Sequence, residues 1–265
     1  MGRGDATSRA VLPRSLAVKA VILAKAPGIL AGGQVATWTF QALDRSLRCR
    51  VLLADGAKLQ AGGTILEVRG AAQSIFAAER VALNFLGHLS GIATLTNQYV
   101  RLARGTRTQI LDTRKTLPGL RALEKYAVVI GGGTSHRKRL DDAILIKTNH
   151  LRALKGGSKI IQEALWCAKQ FRPKHFVQIE VTGLPQLREA LAMNPDAILL
   201  DNWPPSRLNA AVLLRDKLKS RALLEVSGGV TLKNLRAIAK TGVERISIGR
   251  LTHSAPSLDV SLRVI

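Results

Sequence analysis

Cationic side chains follow a short apolar run in the segment "QILDTRKTLPGL", residues 109–120. Arg114 and Lys115 stand side by side directly after Thr113, where the run ends. Arginine binds carboxylate or phosphate through a fork of two hydrogen bonds, and lysine adds a compact positive charge. The segment therefore predicts an anion-binding site at the end of a β-strand.

The same pattern recurs along the rest of the chain. Each run is short and rich in Ile, Leu and Val, which is typical of strands buried on both faces of a parallel sheet. The residues at the ends of the runs are Thr113, Arg114 and Lys115, then Lys147 and Asn149, Glu180, Asp201 and Asn202, Ser227, Gly228 and Gly229, and Ser247 and Gly249. Because the carboxyl ends of the strands of an α/β barrel meet at one mouth, we expect these residues to converge.

The other polar residues of this set suit a phosphorylated ligand. Glu180 and Asp201 are able to hold ribose hydroxyls or a magnesium ion, which prefers a few carboxylates together with substrate phosphates. The glycine-containing segment 227–229 precedes a helix that we expect to start near Thr231. Backbone N–H groups at a helix N-terminus bind phosphate, and the segment 247–249 is expected to form the other wall of that site.

Lys147 has two further interpretations. A lysine that ends an apolar strand is often a surface side chain whose stem covers apolar groups while its ammonium stays in water. A lysine in this position also forms a Schiff base in barrel aldolases. The position of Lys147 alone does not decide among an anion ligand, a surface residue and a nucleophile.

Apolar runs and amphipathic stretches alternate from about residue 106 onward. The predicted strands cover 108–113, 142–147, 176–181, 196–201, 222–227 and 245–249. The predicted helices cover 158–171, 184–194, 206–218 and 231–242. This alternation predicts parallel βα units, but fewer of them than the eight of a complete barrel. An incomplete or irregular α/β barrel is our first interpretation, and a doubly wound open sheet is the second.

The first hundred residues follow a different pattern. Short strands joined by glycine-containing turns precede a long helical stretch at 74–103. We therefore predict a small mixed α/β domain in residues 1–100 and the barrel domain in residues 101–252. The C-terminal tail, residues 253–265, is expected to pack on the first domain.

The net charge of +22 comes from 40 Lys and Arg against 18 Asp and Glu. The basic residues are spread along the chain, without aromatic interleaving and without a zinc-finger or helix-turn-helix pattern. The sequence therefore disfavours nucleic acid as the primary partner, and polyanionic small molecules account for part of the charge.

Cysteine usage and hydropathy indicate a protein of the cytoplasm. Cys49 and Cys167 lie far apart with no CxxC spacing, which excludes a disulfide framework and a zinc site and fits a reducing compartment. The apolar stretch at 16–33 contains Lys19, Lys25 and Pro27 and stops short of membrane-spanning length. We therefore expect no association with a membrane.

Longer motifs run in order along nearly the whole chain. They are "GDATS" at 4–8, "AERVALNFLGHLSGIATLT" at 78–96, "LDTRKTLPGLRALEKYAVVIGGGTSHR" at 111–137, and then "LIKTNH", "IEV", "LLDN", "EVSGGVTLKNL" and "ISIGRLTHS". Together these motifs resemble the quinolinate phosphoribosyltransferase family, and the block 112–137 is highly specific. The resemblance implies a small N-terminal α/β sandwich followed by an incomplete α/β barrel of about six to seven strands.

The resemblance also implies an activity. Members of the family are pentosyltransferases that join quinolinate to phosphoribosyl pyrophosphate with decarboxylation, giving nicotinate mononucleotide, pyrophosphate and carbon dioxide in NAD biosynthesis. The resemblance implies magnesium as the cofactor and a cytoplasmic homodimer. In such a dimer, Arg80 acts across the interface in the active site of the neighbouring subunit.

The resemblance assigns the remaining site residues by motif. The quinolinate carboxylates would be bound by Arg80 of the partner subunit, Arg114, His136, Arg137 and Lys147. Thr113 would bind substrate, and Lys115 would reach phosphoribosyl pyrophosphate. The ribose and the metal would contact Glu180 and Asp201. The phosphate would contact Ser227, Gly228, Gly229, Ser247, Ile248 and Gly249. Lys115, Lys147, Glu180 and Asp201 would be the catalytic residues.

The chain departs from the family pattern at a few positions. Lys138 and Arg139 extend the "HR" motif, Thr148 stands where aspartate is common, and Gln178 stands where glutamate is common. These changes make the site region less acidic, but they remove no residue assigned to substrate. The family's usual additional helix before "GD" does not precede the motif here, so we expect an abbreviated N-terminal dimer contact.

Two other enzymes share parts of this pattern. A molybdenum-associated homologue of the family shares "TRKT" and "GGG..HR" but ends its second strand without the lysine, so Lys147 favours the quinolinate enzyme. A barrel aldolase would use Lys147 for a Schiff base but would leave Arg80 and His136 without a role.

Overall fold

The computed structural model describes residues 4–154, 157 and 159–265. The N-terminal elements are α1 (Ala6–Val11), β1 (Ala17–Ala24), β2 (Gly28–Ile29), α2 (Gly33–Leu43), β3 (Arg48–Val51), β4 (Lys58–Leu59), β5 (Thr64–Ala71) and α3 (Ala72–Ala103). They are followed by β6 (Gln109–Leu111), α4 (Arg121–Ile130), β7 (Ile144–Ile146), α5 (Thr148–Leu154), α6 (Ile160–Phe171), β8 (Val177–Val181), α7 (Leu184–Ala192), β9 (Ala197–Asp201), α8 (Pro205–Lys217), β10 (Leu223–Ser227), α9 (Leu235–Ala239), β11 (Arg245–Ser247), α10 (Arg250–His253) and β12 (Val260–Val264). The predicted helix at 158–171 starts at a residue outside the described ranges. Within the described part of the chain, no helix has the length and apolar character needed to cross a membrane.

The chain forms two compact units. The first contains Met1–Asn97, Ala122–Gly132 and Leu251–Ile265, and the second contains Gln98–Arg121 and Gly133–Arg250. The predicted barrel domain includes residues 122–132, but the structure places this segment in the first unit. There the Tyr126 hydroxyl donates a hydrogen bond to Asp55 Oδ2 at 2.6 Å. Burial and the Asp55 carboxylate together raise the pKa of Tyr126 to about 12.

The first unit is built on a four-stranded antiparallel sheet with the strand order β12-β1-β5-β3. Alternate residues of β1 such as Ala20 and Ile22 are completely buried, and they pack with Phe40 of α2 and Leu86 of α3 in one apolar core. β12 extends the sheet because Leu262 pairs with Ile22 in antiparallel register. The last strand of the chain is therefore part of the N-terminal fold.

The second unit contains six parallel strands in the order β6-β11-β10-β9-β8-β7. All six were predicted from the sequence. The order is cyclic, with the first strand β6 next to the last strand β11, and it has no reversal of the kind that defines a doubly wound sheet. Thr134 forms a single parallel bridge with Leu111 beside β6. The unit is therefore an incomplete α/β barrel, and the second interpretation is wrong.

The last helix of the predicted set is shorter than expected. α9 covers only Leu235–Ala239, so the predicted start near Thr231 is wrong. Asn234 closes a turn before the helix, because its Oδ1 accepts the Thr231 N–H at 2.8 Å and its Nδ2 donates to the Gly229 carbonyl at 2.9 Å. The phosphate site that the sequence placed at this helix N-terminus therefore has no helix start directly behind it.

Close packing within the first unit fixes a glycine on α3. A Cβ on Gly91 would lie 2.1 Å from the Pro256 carbonyl oxygen, which is far inside van der Waals contact. Because both partners are backbone, neither is able to swing away as a flexible side chain would. Gly91 therefore allows the C-terminal segment to lie directly against α3.

The variant Gly91→Ala is expected to lower the free energy of unfolding by about 1–3 kcal/mol, as overpacking does in well-packed cores. The direction is informative, because Gly→Ala in a helix otherwise stabilises by roughly 0.5–1 kcal/mol. Chemical denaturation measures the difference. Gly157→Ala is the control, since its Cβ would meet nothing within 4 Å. Equal or higher stability of Gly91→Ala would contradict the packing described here.

Candidate active site

Strand register sorts the side chains of the second unit onto two faces of its sheet. One row across the sheet consists of Glu180, Leu199, Glu225 and Arg245, and the next row toward the carboxyl ends consists of Asp201, Ser227, Ser247 and Leu111. Residues two apart on a strand point the same way, so both rows lie on one face. The opposite face carries the buried aliphatic residues Ile179, Val181, Ile198, Leu200, Leu224, Val226 and Ile246. The polar groups therefore share one side of the barrel wall.

Two arginines form a like-charge pair near the carboxyl ends of this sheet. Burial lowers the pKa of Arg137, the charge of Arg114 lowers it further, and Asp142 partly offsets both effects. Among the described residues, the buried Nε of Arg114 finds no hydrogen-bond acceptor. Buried donors in proteins are normally satisfied, and paired guanidinium groups match carboxylate or phosphate. The pair therefore suits an anion, and the anion site predicted at Arg114 stays a prediction.

Arg121 holds the cationic loop in place. Its Nε donates to Thr116 Oγ1 at 3.1 Å, and its two terminal nitrogens lie 3.5 Å from the Arg114 carbonyl and 3.4 Å from the Lys138 carbonyl. The side chain thus joins the loop after β6 to the loop that follows Arg137. The sequence contains no signal for Arg121, because two of its three partners are main-chain carbonyls, which leave no pattern of residue types.

The start of the same loop is a local turn. The Thr113 hydroxyl accepts the Lys115 N–H at 3.0 Å, which fixes the backbone between them. Lys115 is exposed, and Thr113 is half-buried. The cationic side chain therefore lies at the surface of the site while its backbone is held.

A buried carboxylate contacts the loop that carries Arg137. Glu225 Oε1 lies 3.3 Å from His136 Nε2, and Glu225 Oε2 lies 3.1 Å from Arg245 Nε. The His136 N–H donates to Asp112 Oδ1 at 2.8 Å. Burial favours the neutral form of Glu225, but the nearby His136 ring, the charge of Arg245 and the Ser247 hydroxyl outweigh it and lower the pKa of this carboxyl. An acidic residue inside an apolar strand was the only sequence signal for this group.

Lys147 and Glu180 meet at the ends of β7 and β8. The Lys147 ammonium lies 3.9 Å from Glu180 Oε2. The Thr148 hydroxyl donates to the other oxygen of Glu180, and its N–H lies 3.4 Å from that oxygen. Thr148, which stands where the family commonly has aspartate, thus replaces an acid with a donor to Glu180. The lysine and the carboxylate belong to one polar group.

The loops after β9 and β10 pack tightly against each other. Asp201 is exposed, and its Oδ2 accepts a hydrogen bond from Asn202 Nδ2 at 3.0 Å. The Asn202 N–H donates to the Ser227 carbonyl at 2.7 Å. Gly228 has a φ of +83°, and a Cβ there would lie 2.3 Å from Asn202 Oδ1. Only glycine fits this contact, which brings Asp201 and the Ser227–Gly228–Gly229 turn together.

The last residue of β11, Ser247, and the next residue, Ile248, donate hydrogen bonds to carbonyl groups of neighbouring strands. Ser247 is buried, and its hydroxyl lies 3.5 Å from the Val226 carbonyl. The Ile248 N–H donates to the Leu111 carbonyl at 2.9 Å. Gly249 is half-buried. The structure therefore places this segment beside the Ser227 turn but uses these two donors within the barrel.

The carboxylates of the site suit magnesium better than zinc. In the described part of the chain, no group of three or more His, Cys, Asp or Glu is arranged to hold a metal ion. Glu180 and Asp201 lie on the same face of neighbouring strands, offset by two residues in register. Magnesium is commonly held by one or two carboxylates with substrate phosphates and water, so this donor set fits it.

Arg80 is the one predicted ligand outside the second unit. It lies on α3 in the first unit, and it is exposed. The other predicted ligands, from Thr113 to Gly249, belong to the second unit.

Arg114→Gln is expected to remove the response to anions without weakening the free protein, because it relieves the repulsion of Arg137. We expect phthalate, a rigid dicarboxylate, to stabilise the wild type by about 2.7 kcal/mol at one hundred times its Kd and the variant far less. Thermal unfolding with and without phthalate measures both effects. Arg188→Gln on the exposed side of α7 is the matched control. A full phthalate response in Arg114→Gln would rule out the pair as the anion site.

Comparison with known proteins identifies the family. The family models "Quinolinate phosphoribosyl transferase, N-terminal domain" and "C-terminal domain" match residues 5–90 and 92–263. The "nicotinate-nucleotide pyrophosphorylase [carboxylating]" of Mycobacterium leprae is 44% identical over 97% of this chain and 90% of its own length. "Quinolinate phosphoribosyltransferase [decarboxylating] 1" of Nicotiana glauca is 39% identical over 98% of this chain and 77% of its own length.

A solved structure agrees with these relatives. The nicotinate-nucleotide pyrophosphorylase of Francisella tularensis is 38% identical, with a TM-score of 0.91 over 100% of this chain and 91% of its own chain. These relatives support neither the aldolase nor the molybdenum-associated alternative. The chain is an enzyme of the quinolinate phosphoribosyltransferase family.

Proposed function

We propose that the enzyme transfers phosphoribosyl from phosphoribosyl pyrophosphate to quinolinate with decarboxylation, forming nicotinate mononucleotide, pyrophosphate and carbon dioxide in NAD biosynthesis. The observation that carries the proposal is the half-buried like-charge pair of Arg114 and Arg137, which lies in the same unit as the Glu180 and Asp201 carboxylates. A dianionic substrate and a sugar phosphate together need both kinds of group.

The cationic groups suit quinolinate. Its two neighbouring carboxylates fit the paired guanidinium groups of Arg114 and Arg137, and Lys147 supplies a further positive charge. His136 lies between Arg137 and the barrel interior and belongs to the same wall. Arg80 of the partner subunit completes this side of the pocket. Neutralising the substrate in this way offsets its repulsion from phosphoribosyl pyrophosphate.

The polar row on the neighbouring strands suits phosphoribosyl pyrophosphate. Lys115 reaches the pyrophosphate, and Glu180 and Asp201 face the ribose hydroxyls and would hold magnesium. Phosphate binds at the Ser227–Gly228–Gly229 turn, with Ser247 to Gly249 as the adjacent wall. Bound magnesium would supply positive charge against the pyrophosphate oxygens.

The chemistry needs positioning rather than a protein nucleophile. The pyridine nitrogen donates its electron pair to the anomeric carbon while the bond to pyrophosphate breaks and Lys115 stabilises the departing negative charge. Glu180 and Asp201 favour the positive charge that develops on the ribose. The ring nitrogen is then quaternary, so the adjacent carbon–carboxylate bond breaks and carbon dioxide leaves. The electron pair remains on carbon beside the cationic nitrogen and takes up a proton.

The enzyme is proposed to act as a homodimer in the cytoplasm. Both described cysteines, Cys49 and Cys167, are free, as expected in a reducing compartment. A dimer is required because Arg80 is assigned to the active site of the neighbouring subunit.

An assay of the purified protein with quinolinate, phosphoribosyl pyrophosphate and magnesium is expected to yield nicotinate mononucleotide and carbon dioxide in equal amounts. Lys115→Ala is expected to lower kcat by roughly 10²-fold or more, because it removes a charge that acts on the leaving group. Lys174→Ala, an exposed lysine before β8, is the matched control and should retain full activity. Nucleotide formed from nicotinate but not from quinolinate would refute the proposed substrate.

Subunit mixing tests the role of Arg80. Arg80→Ala and Lys147→Ala are each expected to be inactive, but dimers that contain one subunit of each kind should regain one working site. Random exchange should therefore restore about a quarter of wild-type activity. The mixture would stay inactive if Arg80 served its own subunit, because no site would then contain both residues. Mixing two preparations of Lys147→Ala controls for exchange alone.

A further inference from the structure

We propose that Glu225 is a positioning residue that holds Arg137 against quinolinate through the ring of His136. The proposal rests on the proposed function, because it assigns Arg137 to the quinolinate carboxylates. Glu225 lies in the middle of β10 and is completely buried. It therefore acts on the substrate through other residues rather than by direct contact.

A continuous series of contacts runs from the barrel interior to Arg137. Arg245 on β11 pairs with Glu225, its direct neighbour in the strand register, at 3.1 Å. The other oxygen of Glu225 lies 3.3 Å from His136 Nε2. The Arg137 N–H then donates to His136 Nδ1 at 2.8 Å. The imidazole ring thus links the buried carboxylate to the backbone of Arg137.

These contacts determine the tautomer of His136. Because Nδ1 accepts the Arg137 N–H, the ring proton must lie on Nε2. Nε2 is also the ring nitrogen that lies 3.3 Å from the Glu225 carboxylate, and a neighbouring negative charge favours the same tautomer. Loss of the carboxylate would leave the other tautomer and a rotated ring accessible, and the Arg137 N–H would then lose its acceptor.

The main chain before Arg137 has a separate anchor. Asp112 is completely buried and accepts the His136 N–H at 2.8 Å, and the Ser135 hydroxyl lies 3.4 Å from its other oxygen. The Arg137 guanidinium also donates to the Ala143 carbonyl at 2.9 Å. Removing the charge of Glu225 should therefore reorient the histidine ring and shift Arg137 without releasing the whole loop.

Stability alone is a weak reason for this buried pair. Removing two charges from water costs several kcal/mol per ion, and well-packed apolar residues often replace such pairs without loss of stability. The aliphatic residues on the opposite face of the same strands show that an apolar alternative is compatible with this sheet. The charged pair of Glu225 and Arg245 has a role that an apolar pair could not have, because the carboxylate orients the His136 ring beside Arg137.

Steady-state kinetics of Glu225→Gln tests the proposal. We expect the KM for quinolinate to rise by roughly 10- to 100-fold, as for a group displaced by a fraction of an ångström to one ångström, with little change in the KM for phosphoribosyl pyrophosphate. His136→Asn should give a similar rise. In the double variant the two effects on the KM for quinolinate should not add, because the proposed effect of Glu225 on Arg137 passes through the ring.

Gln178→Met is the matched control. Gln178 is buried on the same barrel face as Glu225, and its amide atoms have no hydrogen-bond partner among the described residues. This variant should leave the KM for quinolinate unchanged. If Glu225→Gln fails to fold, Glu225→Gln with Arg245→Gln replaces it, because the pair variant leaves no unpaired charge in the barrel.

Nitrogen-15 NMR of the histidine rings separates the two proposals. We expect a protonated Nε2 and an unprotonated, hydrogen-bonded Nδ1 for His136 in the wild type, and loss of this signature in Glu225→Gln. An unchanged signature, an unchanged KM for quinolinate or additive effects in the double variant would each overturn the positioning role. Failure of the wild type to use quinolinate would instead refute the proposed function, and the NMR signature would still test the contact.

Discussion

Side chains that alternate along parallel strands decide where every polar group of the barrel lies. In β10 the sequence "LLEVS" places Glu225 and Ser227 on one face and Leu224 and Val226 on the other. The aliphatic face is buried, whereas the polar face carries the carboxylates and the residues beside them. A shift of one residue in register would exchange the two faces and bury the charges among aliphatic side chains. The same alternation of side chains therefore buries the aliphatic residues and places the polar residues of the candidate site on one face.

Two arginines, Arg114 and Arg137, repel each other at the proposed anion site. Burial and the charge of Arg114 lower the pKa of Arg137, and the buried Arg114 Nε has no acceptor in the part of the chain that the structure describes. Such an arrangement costs stability, so the proposed binding of quinolinate would relieve the repulsion as well as form contacts. Arg121 and the Asp112 and Glu225 carboxylates hold the two loops in this unfavourable geometry.

Local patterns in the sequence were sufficient to predict the positions of the parallel strands and the polar residues that follow them. The predicted run at 222–227 became β10, and the incomplete barrel followed from the alternation of strands and helices. The helix predicted from Thr231 failed because Asn234 captures the preceding backbone in a turn, a competition that composition does not resolve. The division at residue 100 assigned α4 by its position after β6, although most of α4 belongs to the first unit.

The sequence did not predict which side chains pair with each other across neighbouring strands of the sheet. Glu225 and Arg245 are twenty residues apart, and only the register of β10 and β11 makes them neighbours. Arg121 acts on carbonyl groups, which are common to all residues. The site also explains only part of the +22 net charge. Motif resemblance supplied the remaining assignments, and the one proposed for Arg80 would require a second subunit.

A crystal structure of the enzyme with bound quinolinate would test the central claim most directly. The account predicts that the two carboxylates contact Arg114 and Arg137 of one subunit and Arg80 of the partner subunit, with the His136 ring held between Glu225 and the Arg137 N–H. Quinolinate bound away from the two arginines, or a site completed without Arg80 of the partner subunit, would contradict it.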